Sequence, residues 1–277
     1  TNPNMLIVIG SILFVIFTLA IGTSNIEFSQ EIVFIGSFAI ILTLLLKLSN
    51  ELDLKAKKML LGTAIIIFAF RAMPGVGQGG SWFEIDVLGF DQEFLSLLGL
   101  IASFLTIIGI FILRPLMEKS SMTKLIVILS IAGSFFILPS IAMFYGFHEF
   151  TSKITNGLVD ARFIAIFNTA LESPLGQVSM IPILAWIAQS APNHLKATFF
   201  AVLASFTNLA LSASNLGTKY LNQIYVITRE VKTNLGGIKI PADYSELGIL
   251  MIIVCLLTLV VPIGAAFIIK KLRLISY

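Results

Sequence analysis

Eight apolar runs, each close to the length that an α-helix needs to cross a lipid bilayer, constrain this sequence more than any other feature. A helix rises 1.5 Å per residue, so about 20 apolar residues span the hydrocarbon layer. Hydrophobic residues make up 57% of the 277 residues and charged residues only 12%, which no soluble domain needs to fill its core. The sequence therefore predicts an all-α integral membrane protein. The predicted spans lie near residues 5–22, 31–48, 58–84, 93–114, 124–146, 160–189, 195–219 and 246–270.

The third and sixth predicted spans are long and carry residues that interrupt helices. The sixth contains Pro174 and Pro182, and the third contains Pro74 followed by four glycines. Interrupted helices occur in membranes where the freed backbone groups face protein or a water-filled cavity. No Gly-Lys-Ser/Thr follows the glycines, so a phosphate-binding loop is not predicted. We predict an unwound half-helix, while close helix packing is an equal interpretation for any single glycine. The glycines are Gly75, Gly77, Gly79 and Gly80.

Positively charged residues predict the orientation, because Lys and Arg in short loops stay on the cytoplasmic side. Eleven of them fall in one set of alternate loops and six in the other. Both termini are therefore expected in the cytoplasm, and the third span ends outside at an acidic mouth. The eleven are Lys47, Lys55, Lys57, Lys58, Arg114, Lys119, Lys124, Lys196, Lys270, Lys271 and Arg273; the acidic mouth comprises Glu84, Asp86, Asp91 and Glu93.

Several classes of function are disfavoured by what the sequence contains. The net charge of +3 is accounted for by membrane sidedness, so nucleic acid is not an expected partner. The single Cys255 offers no disulfide framework, and His148 and His194 lie in opposite loops, so no metal or other cofactor is predicted. No Walker motif is present, which disfavours ATP-driven transport, and no Ser-Lys pair or Gly-x-Ser-x-Gly element lies within the predicted spans, which disfavours an intramembrane enzyme.

Three stretches of the sequence resemble folate-biopterin transporters. "WFEIDVLGFDQEFLSLLGLIASFLTIIGIFIL" is similar to the segment in which their broken seventh helix leads into the eighth. "SPLGQVSMIPILAWIAQSAPNHLKATFFAVLASFTNLALSASNLG" resembles their tenth and eleventh helices, and "DYSELGILMIIVCLLTLVVPI" their twelfth. The likeness covers roughly residues 65 to 265.

The resemblance implies the major facilitator fold, in which two six-helix bundles surround a central cavity. The eight spans would then be helices five to twelve of twelve, so either this sequence is truncated or the protein is not a standard member of the fold. Residues 1–48 would belong to the first bundle, residues 49–57 would form the cytoplasmic loop between bundles, and residues 58–277 would form the second bundle. The expected membrane is a plasma (inner) membrane or a plastid envelope. The loop "RPLMEKSSMTK" lacks the Asp-Arg pattern of many facilitators but keeps Arg114 as a gating or structural candidate.

Arg71 is the principal candidate for substrate binding. It stands thirteen residues after Lys58, about 20 Å along a helix and hence beyond the middle of the membrane. A charge at the bilayer centre costs about 2.5–3.5 kcal/mol on insertion scales and usually faces the bundle interior. The planar guanidinium suits a carboxylate or phosphate, such as the glutamyl tail of a folate. A structural ion pair that fastens two helices is the alternative.

Glu172 is the expected partner, because it lies about halfway along the sixth span with Asn168 one turn before it. Its carboxylate is predicted either to bind a substrate N–H group, to take a proton and couple transport to the proton gradient, or to pair with Arg71. Gln177, between the two prolines, and Gln78 are further candidates for hydrogen bonds to substrate or between helices.

A polar stripe is predicted on the seventh span, where Asn208 and Asn215 are seven residues apart and Ser205 and Ser212 are offset by three. It would line a cavity or join helices through hydrogen bonds. Trp82 and Phe83 are expected to stack on a pterin ring or to anchor the helix at the interface. Pro74, Gly75 and Gly79 complete the gating and structural candidates. Asp160 and Arg162 most simply cap the sixth span.

These features together predict a secondary active transporter that moves a folate or pterin by alternating access, with a proton as the coupling ion. Two alternatives remain from the sequence. One is a transporter of another organic anion or an amino-acid-like solute. The other is a facilitator-like membrane protein that does not transport, such as an assembly or pigment-delivery factor, in which Arg71 and Glu172 would be buried against each other.

Overall fold

The computed structural model describes residues 5–24, 26–50, 52–175, 196–233 and 237–274. Within these residues the chain forms ten α-helices, one 3-10 turn and a small antiparallel hairpin. The helices are α1 (Met5–Gly22), α2 (Ser29–Ser49), α3 (Leu54–Arg71), α4 (Gln78–Asp86), α5 (Gln92–Lys119), α6 (Met122–Phe144), α7 (Phe147–Ile154), α8 (Ala161–Glu172), α9 (Lys196–Ile224) and α10 (Leu247–Lys271). The hairpin pairs β1 (Val231–Lys232) with β2 (Ile238–Ile240), and the 3-10 turn is Ser173–Leu175.

The all-α membrane fold predicted from the apolar runs is confirmed. Among the described residues, five helices are long and apolar enough to cross a bilayer, namely α2, α5, α6, α9 and α10, and α1 adds a shorter apolar segment. The third predicted span is two helices, α3 and α4, separated at residues 72–77. The sixth begins as α8 and continues through the 3-10 turn, and its second half, with Pro182, lies outside the described residues.

The turn between α2 and α3 is shorter than the loop expected from the sequence. Helix α2 ends at Ser49, and α3 begins at Leu54, so Lys55, Lys57 and Lys58 lie in the first turns of α3. Asp53 starts the helix, because its carboxylate accepts a hydrogen bond from the Ala56 amide at 2.7 Å. These three lysines therefore belong to α3 and not to a loop.

The helices pack in a continuous order around α3. Helix α1 packs antiparallel on α2, α2 on α9, and α9 on α3, while α3 also contacts α6 and α10. Helix α8 then joins α6 to α5. Helices α6 and α10 are further joined where the Ser134 hydroxyl and the Cys255 thiol donate to each other's backbone carbonyls, at 3.3 and 3.4 Å.

The two ends of the bundle are held by different interactions. We call the end that carries Lys55 and Lys271 the lysine end, and the end that carries β1 and β2 the hairpin end. Apolar side chains of five helices form the main core toward the lysine end, where burial of apolar surface is the dominant stabilising term. Its buried members are Ile41, Leu45, Leu48, Leu60, Ala64, Ile66, Ile67, Ile126, Val202, Leu203, Phe206, Leu209, Ala266 and Ile269.

An ion pair joins α2 to α9 near the hairpin end. Lys219 Nζ lies 2.7 Å from Glu31 Oε1, and the Tyr220 hydroxyl donates to the same oxygen at 2.8 Å. The Glu31 side chain is only 15% exposed. Water therefore screens this pair less than it would an exposed pair, so the contact between α2 and α9 is apolar toward one end and ionic at the other.

The 3-10 turn after α8 packs directly against α5. The Thr106 hydroxyl of α5 donates to the Ser173 carbonyl at 2.9 Å. Gly109, one turn further along α5, faces the backbone of Pro174 so closely that a Cβ at this position would collide with it. The glycine is therefore required for the close approach of α5 and the end of α8.

Replacement of Gly109 by Ala is expected to lower the melting temperature of the purified protein, because overpacking of a tight contact costs about 1–3 kcal/mol. Gly99→Ala is the matched control. Gly99 lies on the same helix with nothing within 4 Å of its added Cβ, and alanine is the better helix former by about 1 kcal/mol. Equal melting temperatures for the two variants would contradict the close packing at Pro174.

Candidate functional site

The interrupted helix predicted from the Pro-Gly segment is present. Helix α3 ends at Arg71, residues 73–77 are not helical, and α4 begins at Gln78. Gly77 precedes α4 with a φ of +79°, a conformation that favours glycine. Pro74 supplies no N–H and cannot continue the helix. The sequence of this segment therefore both stops α3 and allows the sharp entry into α4.

Three side chains of α9 replace the helical hydrogen bonds that the interruption removes. The Ser214 hydroxyl donates to the Met73 carbonyl at 2.6 Å, and the Gly75 amide donates to Thr218 Oγ1 at 2.8 Å. The Asn222 amide donates to the Val76 carbonyl at 3.2 Å. We call Ser214, Thr218 and Asn222 the α9 ladder. It accounts for how an unwound backbone is accommodated within the bundle.

Arg71 occupies the end of α3, immediately before the interruption. Its cation lies at the negative end of the helix dipole, which stabilises positive charge. The side chain is partly buried, and its Nε atom is buried without a hydrogen-bond partner among the described residues. A buried donor without a partner carries an uncompensated desolvation cost. The Arg71 guanidinium therefore carries at least one donor that the described residues leave unpaired.

The predicted partner of Arg71 is placed on α8. Glu172 ends that helix and is exposed, and no ion pair within 4 Å joins it to Arg71 among the residues that the structure describes. Asn168, one turn earlier, is partly buried, and its Oδ1 has no hydrogen-bond partner in the same described ranges. Gln177 lies outside the described residues. The structure thus leaves two polar groups of α8 open to other ligands.

The polar stripe predicted on α9 is exposed, which distinguishes it from the α9 ladder. Asn208 and Asn215 are exposed, as are Ser205 and Ser212. Exposed amides and hydroxyls on a helix that spans a membrane are unfavourable against lipid. This face is therefore suited to a water-filled cavity or to a further polar helix surface.

Sequence reasoning did not find the α9 ladder. Its signal was present in the spacing of Ser214, Thr218 and Asn222, which are four residues apart and so share one face of a helix. The neighbouring Asn215, which the sequence predicts as a cavity or packing residue, is exposed. Only the packing of α9 against α3 and α4 separates the two faces.

The remaining candidates near the interruption differ in their surroundings. Pro74 lies against α9 at Gly217, where an added Cβ would be 3.3 Å from the proline ring. Gly79 is buried against Ile227, whereas Gly75 and Gln78 are exposed. Gln78 and Gly75 are therefore accessible, and both lie close to Arg71 in the sequence. Arg114 is exposed near the end of α5, remote in sequence from this segment.

The two aromatic candidates on α4 are not equivalent. Phe83 is 6% exposed and packs between Phe144 and Tyr244, with ring centroids 5.3 and 5.9 Å away. Its ring is already in contact with other aromatic rings, so it is a core residue. Trp82 is partly buried, and its role as a stacking or interfacial residue stays a prediction.

The acidic mouth predicted at the end of α4 is partly neutralised by cations. Asp86 accepts two hydrogen bonds from Arg229, at 2.8 and 2.7 Å, and one from the Tyr244 hydroxyl at 2.7 Å. Asp91 forms an ion pair of 2.7 Å with Arg162. Arg162 thus joins α8 to Asp91, the residue immediately before α5. The Asp160 carboxylate caps α8 by accepting a hydrogen bond from the Phe163 amide at 2.8 Å.

The hydrogen bonds at Asp86 shift the pKa values of both Asp86 and Tyr244. Arg229 and Tyr244 donate to the carboxylate and hold the pKa of Asp86 below the ordinary value of 3.8. Burial and the bond to Asp86 raise the pKa of Tyr244 to about 12, so the phenol keeps its proton. The cluster fastens the hairpin segment to the end of α4.

Asp86→Asn is expected to lower the melting temperature at pH 7. A carboxylate whose pKa is lowered in the folded protein stabilises it above the unfolded pKa and loses that effect as the pH falls through the folded value. The difference between wild type and variant should therefore shrink below about pH 4. Glu93→Gln is the control, because Glu93 is exposed at the same end. A difference that does not change with pH would contradict the role of the charge.

Comparison with known proteins gives a consistent assignment. The sequence model of the BT1 family matches residues 5–276. A curated folate-biopterin transporter from Synechocystis sp. (strain ATCC 27184 / PCC 6803 / Kazusa) is 23% identical over 154 residues, which cover 56% of this chain and 30% of that protein. The match thus spans about a third of the length of the curated relative. No solved structure matches the chain.

Proposed function

Because the chain belongs to the BT1 family, we propose that it is part of a secondary active transporter that moves a folate or pterin compound across a membrane by alternating access. The named activity of the curated relative supports this substrate class. The resemblance of residues 65–265 to facilitator helices seven to twelve supports the mechanism. The chain is a transport protein of a helical-bundle type, and its substrate is a small organic molecule.

The observation that carries this proposal is Arg71 at the interruption between α3 and α4. Its Nε is buried without a partner in the described part of the chain, and a folate offers carboxylates that a guanidinium binds with two parallel hydrogen bonds. A structural ion pair with Glu172 would have satisfied Arg71 within the protein. The described residues contain no such pair, which favours a ligand over a purely structural role.

Around this anchor, side chains on three helices supply the polar groups for the rest of the substrate. The proposed groups are Gln78 of α4, Asn168 and Glu172 of α8, and Asn208 and Asn215 of the exposed α9 face. Gln177 belongs to the same set by its position in the sequence. Amide and carboxylate groups match the alternating donors and acceptors of a pterin ring.

Glu172 is the proposed site of proton coupling. A carboxylate at mid-membrane depth is stabilised in its neutral form when water is excluded from it. Opening of the cavity to one side and then to the other would therefore change its affinity for a proton. The lysine end lies in the cytoplasm in this proposal, because it holds the larger share of Lys and Arg.

Arg71→Gln is expected to raise the KM for folate uptake by the full-length protein in proteoliposomes. Loss of a hydrogen bond to a charged group costs about 1.5–3 kcal/mol, roughly ten- to a hundred-fold in affinity. Arg71→Lys should recover only part of the loss, since a lysine cannot bind two oxygens in one plane. Arg273→Gln, which removes an exposed guanidinium from the lysine end, should leave KM unchanged.

Unchanged folate uptake in Arg71→Gln would contradict the proposed anchor. Competition of uptake by pterins without a carboxylate, by folates and by amino acids, each measured with the wild type and with Arg71→Gln, defines the substrate class. If the wild type prefers folates over pterins without a carboxylate and Arg71→Gln does not, the carboxylate is the group that Arg71 binds.

Glu172→Gln is expected to abolish uptake driven by a proton gradient while leaving exchange of labelled for unlabelled substrate across the membrane. Exchange needs no net proton movement, so it reports substrate binding and the conformational change alone. Glu149→Gln on the exposed helix α7 is the control. Retention of gradient-driven uptake in Glu172→Gln would assign coupling to a different group.

A further inference from the structure

The interruption at residues 72–77 is held by one face of a neighbouring helix. Ser214, Thr218 and Asn222 are spaced by four residues and each makes one of the three hydrogen bonds to the backbone at positions 73, 75 and 76. Successive rungs of the α9 ladder thus meet successive parts of the unwound segment. The first rung, Ser214, binds the carbonyl of Met73, which lies two residues after Arg71 in the sequence.

Two of the three rungs, Thr218 and Asn222, are themselves fixed in orientation. The Thr218 hydroxyl accepts from the Gly75 amide and donates to the Ser214 carbonyl at 2.9 Å. The Asn222 amide donates to Val76 and also to the Thr218 carbonyl at 2.8 Å. A hydroxyl or amide that bonds to its own helix has little rotational freedom left, so the ladder presents its polar atoms in fixed positions.

Packing around the ladder is equally specific. Gly217 lies between two rungs and allows the Pro74 ring to reach the α9 backbone, because a Cβ there would lie 3.3 Å from the ring. Gly77 sits under Asn222, whose amide nitrogen would be 2.8 Å from an added Cβ. These two glycines allow the unwound segment and α9 to approach closely enough for side chains as short as Ser and Thr to reach the backbone of the segment.

We propose that Ser214, Thr218 and Asn222 are positioning residues that hold the unwound segment on α9 and thereby fix the location of Arg71 for substrate. This inference rests on the proposed function for its transport consequence, but its structural part stands apart from it. Arg71 has no hydrogen bond of its own at Nε within the described chain. The backbone that follows it is therefore the part of the molecule that determines where the guanidinium lies.

Thr218→Val tests the central rung, because valine has nearly the shape of threonine but cannot accept from the Gly75 amide. Thr207→Val is the matched control, because the Thr207 hydroxyl donates to the Leu203 carbonyl of its own helix at 2.9 Å and, among the described residues, to no other group. Thr218→Ser retains the hydroxyl and should behave as the wild type. Expression level and melting temperature of all three variants establish that they fold.

Hydrogen exchange followed by mass spectrometry reports the hydrogen bond directly in the purified full-length protein. Peptides covering residues 72–80 should exchange about ten-fold faster in Thr218→Val, because the Gly75 amide has lost its acceptor. Peptides from α5 should be unchanged, and Thr207→Val should match the wild type throughout. No increase in Thr218→Val would overturn the proposal.

The position of residue 71 is measured by labelling a cysteine. In an Arg71→Cys, Cys255→Ser background, the rate of reaction with a maleimide should change at least about three-fold when Thr218→Val is added. Addition of Thr207→Val should leave the rate unchanged. An unaltered rate in the Thr218→Val background would mean that the ladder does not position residue 71, whatever the protein transports.

The transport consequence is a change in KM that serine reverses. With native Arg71 present, Thr218→Val should raise the KM for folate about five-fold or more with a smaller change in kcat, and Thr218→Ser should restore it. A faster-exchanging segment with unchanged KM would overturn the positioning role. If the wild type takes up no folate, the proposed function fails, and the exchange and labelling measurements still decide whether the ladder positions residue 71.

Discussion

The need to pair every backbone amide and carbonyl within an apolar bundle underlies the arrangement of this protein. Residues 73–77 are not helical, and lipid offers no replacement for the helical hydrogen bonds that they lack. Helix α9 provides the replacements from Ser214, Thr218 and Asn222. Helix α9, which is long and apolar enough to cross a membrane, therefore carries polar side chains on the face toward α3 and α4. The hydrogen bonds of these side chains hold α9 beside the two helices.

The same interruption explains how a guanidinium can lie inside a membrane bundle. Arg71 ends α3, where unpaired carbonyls and the helix dipole favour a cation. A continuous helix would have placed it in mid-helix, where neither effect operates. The break that weakens the helix thus also stabilises the charge, and it leaves the Nε atom free of partners within the described residues.

The main apolar core of the bundle lies toward one of its ends. Toward the lysine end, apolar side chains of α2, α3, α6, α9 and α10 form one packed core. Near the hairpin end, smaller apolar clusters around Phe83 and Phe90 are accompanied by ion pairs, such as Asp86 with Arg229. Polar contacts of this kind can exchange partners with water or with one another, whereas separated apolar surfaces remain unfavourable in water.

The sequence by itself determined the membrane fold, the places of the long helices, the break after Arg71 and the family, because each depends on local composition and spacing. It did not determine which polar residues of α9 face the break. Asn215 and Ser214 are adjacent in sequence, yet Asn215 is exposed and Ser214 bonds to Met73. Nor did it reveal that Arg229 and Arg162 neutralise Asp86 and Asp91. These pairings join residues more than 70 positions apart, so only the packing of the helices could decide them.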